Sequence, residues 1–346
     1  MDWNVSIAAW SARQSCRATS FVSPNAISEP GGIVVTGGAG FVGAPLTALL
    51  LAHGPVTVVD DLSVGRPMPT PATGLTCLRA DIRDRAAMAA IIARHRPRTI
   101  VHLAAIHHIP TCERDPARAM DVNVMGFQSV LDAAAQGGCR HVVLASSGAV
   151  YDWSDGPLAE TAPLAPRDVY AASKAANEHQ LTAWTMAGHG HGCVARMFNV
   201  IGPDDPNGHL IPDILARLGE AVGAQVRLRL GNLDTRRDFV DLRDMAAGLA
   251  ALVTRPPQNR PTPEVFNLCS GRDHSAADIA LALAAQLGVT ATLVTDPALC
   301  RPVDRPGQLG VPDKARAELG WSARHDLDAS LAAIVRWWRQ RIASCA

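Results

Sequence analysis

Short apolar runs rich in β-branched residues recur through the first part of the chain, separated by longer Ala- and Leu-rich stretches. The runs are "GIVVT" (Gly32–Thr36), "VTVVDDL" (Val56–Leu62), "RTIVHLAAI" (Arg98–Ile106) and "RHVVLASS" (Arg140–Ser147). Each is apolar throughout rather than alternating, which predicts strands buried on both faces. Between the first two, "FVGAPLTALLLAHG" has helical spacing closed by Gly54, and Ala-rich helical segments precede the runs at Arg98 and Arg140. Strands alternating with helices predict a doubly wound parallel α/β sheet. From about residue 200 the texture changes to Pro-, Asp- and Asn-rich turns between shorter elements. That part predicts a smaller C-terminal lobe closing over whatever the sheet binds. The expected organisation is a mobile extension or mis-assigned start over 1–30, a mainly sheet-forming domain over 31–200, and a mainly substrate-binding lobe over 201–346. The chain is expected to cross between the lobes. "HGHG" (His189–Gly192) reads as a loop.

Composition narrows the class only a little. The 346 residues are 48% hydrophobic and 18% charged, with 32 basic and 32 acidic side chains. No like-charge run marks a nucleic-acid or membrane-surface protein, and no apolar stretch reaches bilayer length. The eight cysteines (Cys16, Cys77, Cys112, Cys139, Cys193, Cys269, Cys300 and Cys345) include no CxxC pair. They read as buried free thiols in a reducing compartment, and hence as a cytoplasmic chain. His107-His108 lacks a third ligand in the sequence, so no metal is expected there.

The first run leads into "GGAGFVG", with Gly37, Gly40 and Gly43 at three-residue spacing. A strand, a glycine turn and a helix form the context in which such spacing carries chemistry. The first glycine permits the tight turn, the second lets a pyrophosphate approach the backbone, and the third lets helix pack on strand. The helix start offers free N–H groups to phosphate. Asp60 follows Gly40 by about 20 residues at the end of the next strand. There it suits the hydroxyls of an adenosine ribose and repels a 2′-phosphate, which favours NAD over NADP. Asp81 in "RADIRD" is similarly placed after the third strand, either to meet adenine or to cap a helix.

"VYAASKAANE" places Tyr170 and Lys174 at i and i+4, on one helix face. A phenol with pKa of about 10 is a poor base at neutral pH. A lysine ammonium and an oxidised nicotinamide would both stabilise its phenolate. Ser147, ending the strand before "GAVY", could hydrogen-bond the same substrate oxygen.

The chain resembles the extended short-chain dehydrogenases/reductases of the NAD-dependent epimerase/dehydratase family, which act on nucleotide sugars. The resemblance covers roughly Gly32 to Arg339. It is carried by "TGGAGFVG", "VVDDLSVGR", "ADIRD", "VHLAA", "NVMGFQSVLDAA", "SSGAVY", "YAASK", "MFNVIGP", "RRDFVDLRDMA", "FNLCSGRDHS" and "ARAELGW". It implies a Rossmann-type sheet and a catalytic trio of Tyr170, Lys174 and Ser147. NAD would be tightly bound and recycled, against Gly37, Gly40, Phe41, Val42, Gly43, Asp60, Asp61, Ser63, Gly65, Asp81, Ile82, Leu103, Ala104, Ala105, His107, Asn123 and Ser146. Tyr170 and Lys174 would also touch the cofactor. A UDP-sugar would meet Ser147, Tyr170, Phe198, Asn199, His209, Leu210, Arg237, Arg301 and Asp304, with Arg237 and Arg301 on the diphosphate and Asp304 on the ribose. Relatives pair through the Tyr-bearing helix and its neighbour, so a homodimer is expected.

Departures from the family pattern matter for the reaction. Family 4,6-dehydratases carry Asp-Glu after the Ser/Thr, whereas this chain has Gly148-Ala149, and the loop also lacks the Glu usual in decarboxylases. "SSGAVY" resembles 4-epimerases. The usual Gly after Tyr151 is Asp152. "RPGD" becomes "RPVD" at Arg301–Asp304, with a second register, "RPGQ", at Arg305–Gln308. The first keeps the family spacing to "DKARAELGW" and is preferred. Asp204 and Asp205 would disfavour a sugar carboxylate if they faced the site. The expected activity is 4-epimerisation of a UDP-hexose, with a UDP-hexuronate open. Decarboxylation, dehydration and 4-ketoreduction are alternatives, and a non-catalytic NAD-binding relative is a further one.

Overall fold

The structure, a computed structural model, describes residues 31–64, 66–153, 156–218, 225–256, 258, 260–300 and 304–345. The expected N-terminal extension, Gly65 and Arg301 lie outside the described residues. The strands foreseen in the first half form. They are β1 (Ile33–Thr36), β2 (Val56–Asp60), β3 (Leu75–Arg79), β4 (Thr99–His102) and β5 (His141–Ser147). "HGHG" is a correction: His191 and Gly192 open β6 (His191–Met197). The turn is short because β6 must pair with β5 from its first residue.

These strands and β10 (Glu264–Leu268) form one seven-stranded sheet in the order β3-β2-β1-β4-β5-β6-β10, with parallel pairing throughout. The order reverses between β1 and β4, the switch point where such sheets bind ligands. β1 (IVVT) is buried at all four positions, as a strand covered on both faces must be. Helix α1 (Gly43–Leu50) packs against α8 (Leu242–Thr254) on one face. The opposite face carries α2 (Arg85–His95) and α5 (Gly126–Gly137), around Ile92, Phe127 and Leu144. Between β4 and α5 run α3 (Ile109–Arg114), α4 (Pro116–Met120) and a π-helical turn, Asp121–Met125.

Helix α6 (Val169–Met186) starts where Asp168 accepts a hydrogen bond from Ala171 N at 2.7 Å. That cap sets Tyr170 in the first turn and Lys174 one turn on. Beyond β6 the chain builds β7 (Asn199–Ile201), α7 (Leu210–Leu218), β8 (Gln225–Leu230) and β9 (Arg236–Asp241). It then returns through α8 and β10 to the large sheet. β11 (Asp273–Ser275), α9 (Ala276–Leu287), β12 (Thr290–Thr295) and β13 (Gly307–Gln308) follow, with α10 (Asp313–Leu319) and α11 (Leu327–Cys345) last. A separate apolar cluster of Ile214, Leu228, Leu283 and Leu331 centres this second region. β9 is its hub, pairing with β7, β11 and β13.

Candidate active site

The glycine loop sits at the switch point. Gly37 has φ +71°, and a side chain there would lie 2.7 Å from Ala104 N, on the loop after β4. At Gly43 a Cβ would lie 2.2 Å from Gly37 O, so the helix start rests directly on the turn. Gly40 differs: a Cβ there would meet only Gly37 O, at 3.1 Å. Backbone packing thus requires the first and third glycines, while the second leaves space free of protein. Helix α1 begins with no side-chain cap at Val42, so its first-turn N–H groups suit an anion. Phe41, Val42, Leu103, Ala104 and Ala105 are partly exposed around it.

Asp60 ends β2 facing this loop. Its carboxylate accepts from Ala39 N at 3.0 Å and Leu62 N at 2.8 Å. Burial raises its pKa, against the lowering effect of those two bonds. Asp61 accepts from Ser63 N instead. An acidic strand end joined to a glycine cradle fits an adenosine diphosphate half, as NAD would present.

Other expected cofactor contacts have different placements. Ile82 is 6% exposed and packs in the core, close enough to Gly126 that a Cβ there would lie 2.6 Å from Ile82 Cδ1. The cap of α2 is Asp84, not Asp81. Asp81 is held by Arg83, whose side-chain hydrogen bonds lower its pKa. Asn123 is fully buried in the π turn. Its amide accepts from Ile106 N at 2.7 Å and donates to Ile106 O and Ser173 Oγ, both at 2.9 Å. It therefore ties the loop after β4 to α6 and has no surface to offer a ligand.

Tyr170, Lys174 and Ser147 come together. Lys174 Nζ lies 5.9 Å from the Tyr170 ring centre and donates to Ala145 O at 2.8 Å. Burial pushes the Tyr170 phenol up to about 12, and its hydrogen bond with Ser147 pulls the other way. Burial likewise lowers Lys174 to about 8. Ser146 points elsewhere, donating to buried Glu178 Oε1 at 2.5 Å. Glu178, one turn beyond Lys174, is clamped by Arg196 through bonds of 3.0 and 2.7 Å. The sequence reading did not single out Glu178 or Arg196. The i+4 continuation of the Tyr170–Lys174 face was the available signal.

On the opposite wall, Arg237 donates to Asp304 Oδ1 at 3.0 Å and to Arg305 O at 2.8 Å. Two residues expected to bind different parts of a nucleotide thus face each other. Asn199 donates to Asp238 O at 3.0 Å. Phe198 is only 3% exposed, and a Cβ on Gly148 would touch its ring at 3.2 Å. Phe198 is therefore packing beneath the loop, not a lining residue. His209 bonds Asp205 at 2.9 Å, and its ring centre lies 5.7 Å from that of His107. Asp204 pairs with Arg66 at 2.9 Å. Leu210 opens α7, half-buried.

Arg305 is a residue the preferred register set aside. It is 7% exposed and donates to Asp152 O at 2.8 Å and Gly307 O at 2.9 Å. Burial, reinforced by Arg237, lowers its pKa to about 10. Asp238, also not foreseen, accepts from Ser270 N, Ser270 Oγ and Gly271 N in the loop after β10 and from Gly310 N beyond β13, and so ties two loops to β9. The "RPGQ" motif pointed to Arg305; nothing local pointed to Asp238.

The model of the NAD-dependent epimerase/dehydratase family matches residues 33–269. The chain belongs to that family. It is 30% identical over 322 residues to a GDP-6-deoxy-D-mannose reductase of Pseudomonas aeruginosa, covering 90% of this chain and 98% of the relative. It is 30% identical over 341 residues to a UDP-glucose 4-epimerase of Rhizobium meliloti, covering 89% and 97%. Among solved structures it is similar to the UDP-glucose 4-epimerase of Thermotoga maritima with UDP-glucose, with a TM-score of 0.81 and 26% identity over 90% of this chain and 99% of that one. Family membership makes NAD the cofactor. No helix among the described residues is long and apolar enough to cross a membrane.

Proposed function

We propose that the protein is an NAD-dependent nucleotide-sugar 4-epimerase, with Tyr170 as proton acceptor and donor, Lys174 as its electrostatic partner and Ser147 as the hydrogen-bonding group on the sugar oxygen. The observation that carries this reading is the Tyr170–Ser147–Lys174 cluster beside a glycine cradle that its own backbone leaves open. NAD, when bound, would supply the two-electron acceptor that takes the C4 hydride and later returns it. Gly37, Gly40, Gly43 and Asp60 would hold it, and it would be kept through the cycle. Tyr170 takes the C4 hydroxyl proton as the carbon becomes a ketone, and gives it back after the ketone has turned its other face. The electron count closes with no net oxidation. In the ligand-free chain, with Lys174 already 5.9 Å from the ring centre, burial holds the phenol near 12, so the phenolate depends on further positive charge beside it, as an oxidised nicotinamide would supply.

The loop after Ser147 supports epimerisation over dehydration. Gly148 and Ala149 stand there and carry no group that could transfer a proton, and a side chain at Gly148 would crowd Gln308 Nε2 at 2.9 Å and Phe198 at 3.2 Å. Asp204 and Asp205 are engaged with Arg66 and His209, so they do not by themselves turn away a sugar carboxylate. A neutral UDP-hexose is the first choice and a UDP-hexuronate the second, held by Arg237, Asp304 and Asn199. A 4-ketoreductase is the second reading, on the strength of the reductase relative. Incubation with a UDP-sugar panel and no added NAD separates the two. An epimer supports the proposal; turnover only of a 4-keto sugar with stoichiometric reduced cofactor favours the reductase. We also propose division into a cofactor-binding and a smaller sugar-binding lobe, a cytoplasmic location, and a homodimer through α5 and α6.

A further inference from the structure

At the end of the large sheet away from Ser147 lies a cluster with no part in this chemistry. The β5–β6 register sets His141 opposite His191, and the β6–β10 register sets Cys193 opposite Glu264. Paired residues, and residues two apart on one strand, share a face. These four side chains therefore lie together. His141 and His191 are each 5% exposed, with ring centres 5.1 Å apart. One ligand atom from each of His141, His191 and Cys193 falls within 4.8 Å of the others. Cys193 Sγ is 3.4 Å from His191 Nε2, and Glu264 Oε2 is 3.5 Å from that nitrogen. His141 Nε2 and His191 Nδ1 are buried without a hydrogen-bond partner, although a buried polar nitrogen normally has one.

We propose that His141, His191 and Cys193 form a structural site for a divalent metal ion of the zinc class, with Glu264 or a water as fourth ligand. Two imidazoles and a thiolate are a donor set that zinc accepts in tetrahedral geometry. Arg255 already pairs with Glu264 at 3.0 Å, so a carboxylate reaching the metal keeps an orienting partner. In the metal-free chain burial keeps His141 neutral, with its pKa near 4, and keeps Cys193 a thiol, pushed up to about 12. The imidazoles are thus ready to ligate, and binding releases the thiol proton to solvent. Ser147 stands six residues along β5, about 20 Å away, so the metal would brace the sheet without entering the reaction.

The test uses the full chain purified without a histidine tag. It is stripped with chelator and titrated with Zn²⁺, and in parallel with Co²⁺ as a spectroscopic probe. The expected result is stoichiometric uptake, a rise in thermal midpoint with Zn²⁺, and a thiolate-to-cobalt absorption band. Cys193→Ser should fold, lose the band and lose the thermal shift. His191→Gln should weaken uptake. A folded wild-type chain that binds neither ion stoichiometrically, or gives a cobalt spectrum without the thiolate band, overturns the proposal.

Discussion

The two walls of the cleft are built on different principles. On the sheet side, site groups are set by backbone contact and burial: Gly43 rests on Gly37 O, Asp60 takes two main-chain N–H bonds, and Lys174 bonds Ala145 O. On the other side they are set by charged pairs across the chain, Arg237 with Asp304 and Arg66 with Asp204, and by the local hydrogen bond of His209 with Asp205. The first wall is preorganised before any ligand arrives. In the second, Arg237 and Asp304 already hold each other, so under the proposed function a ligand would have to part them. Chemistry should therefore fail when the sheet side is altered, and substrate affinity when the other side is.

The largest expected effect is on the sheet side. Tyr170→Phe should lower turnover by roughly 10²–10⁴-fold, the usual contribution of a general acid–base, with little change in melting temperature. Next is Glu178→Ala, which leaves Arg196 buried without its partner. Removing one member of a buried pair costs about 3–5 kcal/mol, readable by denaturant unfolding, and Glu178→Gln should cost less. Arg237→Ala, across the cleft, should raise KM by roughly ten- to a hundredfold with kcat nearly kept, since a bond to a charged group contributes about 1.5–3 kcal/mol. An equal fall in kcat would erase the contrast between the walls. The pH dependence sharpens it. Because burial raises the Tyr170 phenol, turnover should climb with pH through an ionisation that Lys174→Met moves upward, and Arg237→Ala should leave that limb in place. The smallest effect belongs to the exposed Arg85–Asp132 pair joining α2 and α5: Arg85→Ala should change stability by less than about 1 kcal/mol.

The same contrast decides what could be read without coordinates. The parallel sheet, the glycine turn, Asp60 and the Tyr170–Lys174 spacing are short-range patterns, and each is visible within a few residues. Arg305, Asp238 and the Glu178–Arg196 clamp are long-range products. Arg305 Nη1 reaches Gly148 O across 157 positions, and Ser270 meets Asp238 across 32. No local spacing encodes such meetings. Phe198 and Ile82 sit in motifs that resemble site motifs, yet their side chains are spent on packing. The start of β6 was missed because a His-Gly pair carries turn chemistry on its own, and only pairing with β5 makes it a strand.

The most direct measurement follows the C4 hydrogen. A UDP-hexose deuterated at C4, incubated with the purified protein and no added cofactor, should yield the C4 epimer with deuterium still at C4, and Tyr170→Phe should yield almost none. Loss of the label to water, or an epimer inverted at another carbon, would contradict hydride removal and return at C4 beside Tyr170.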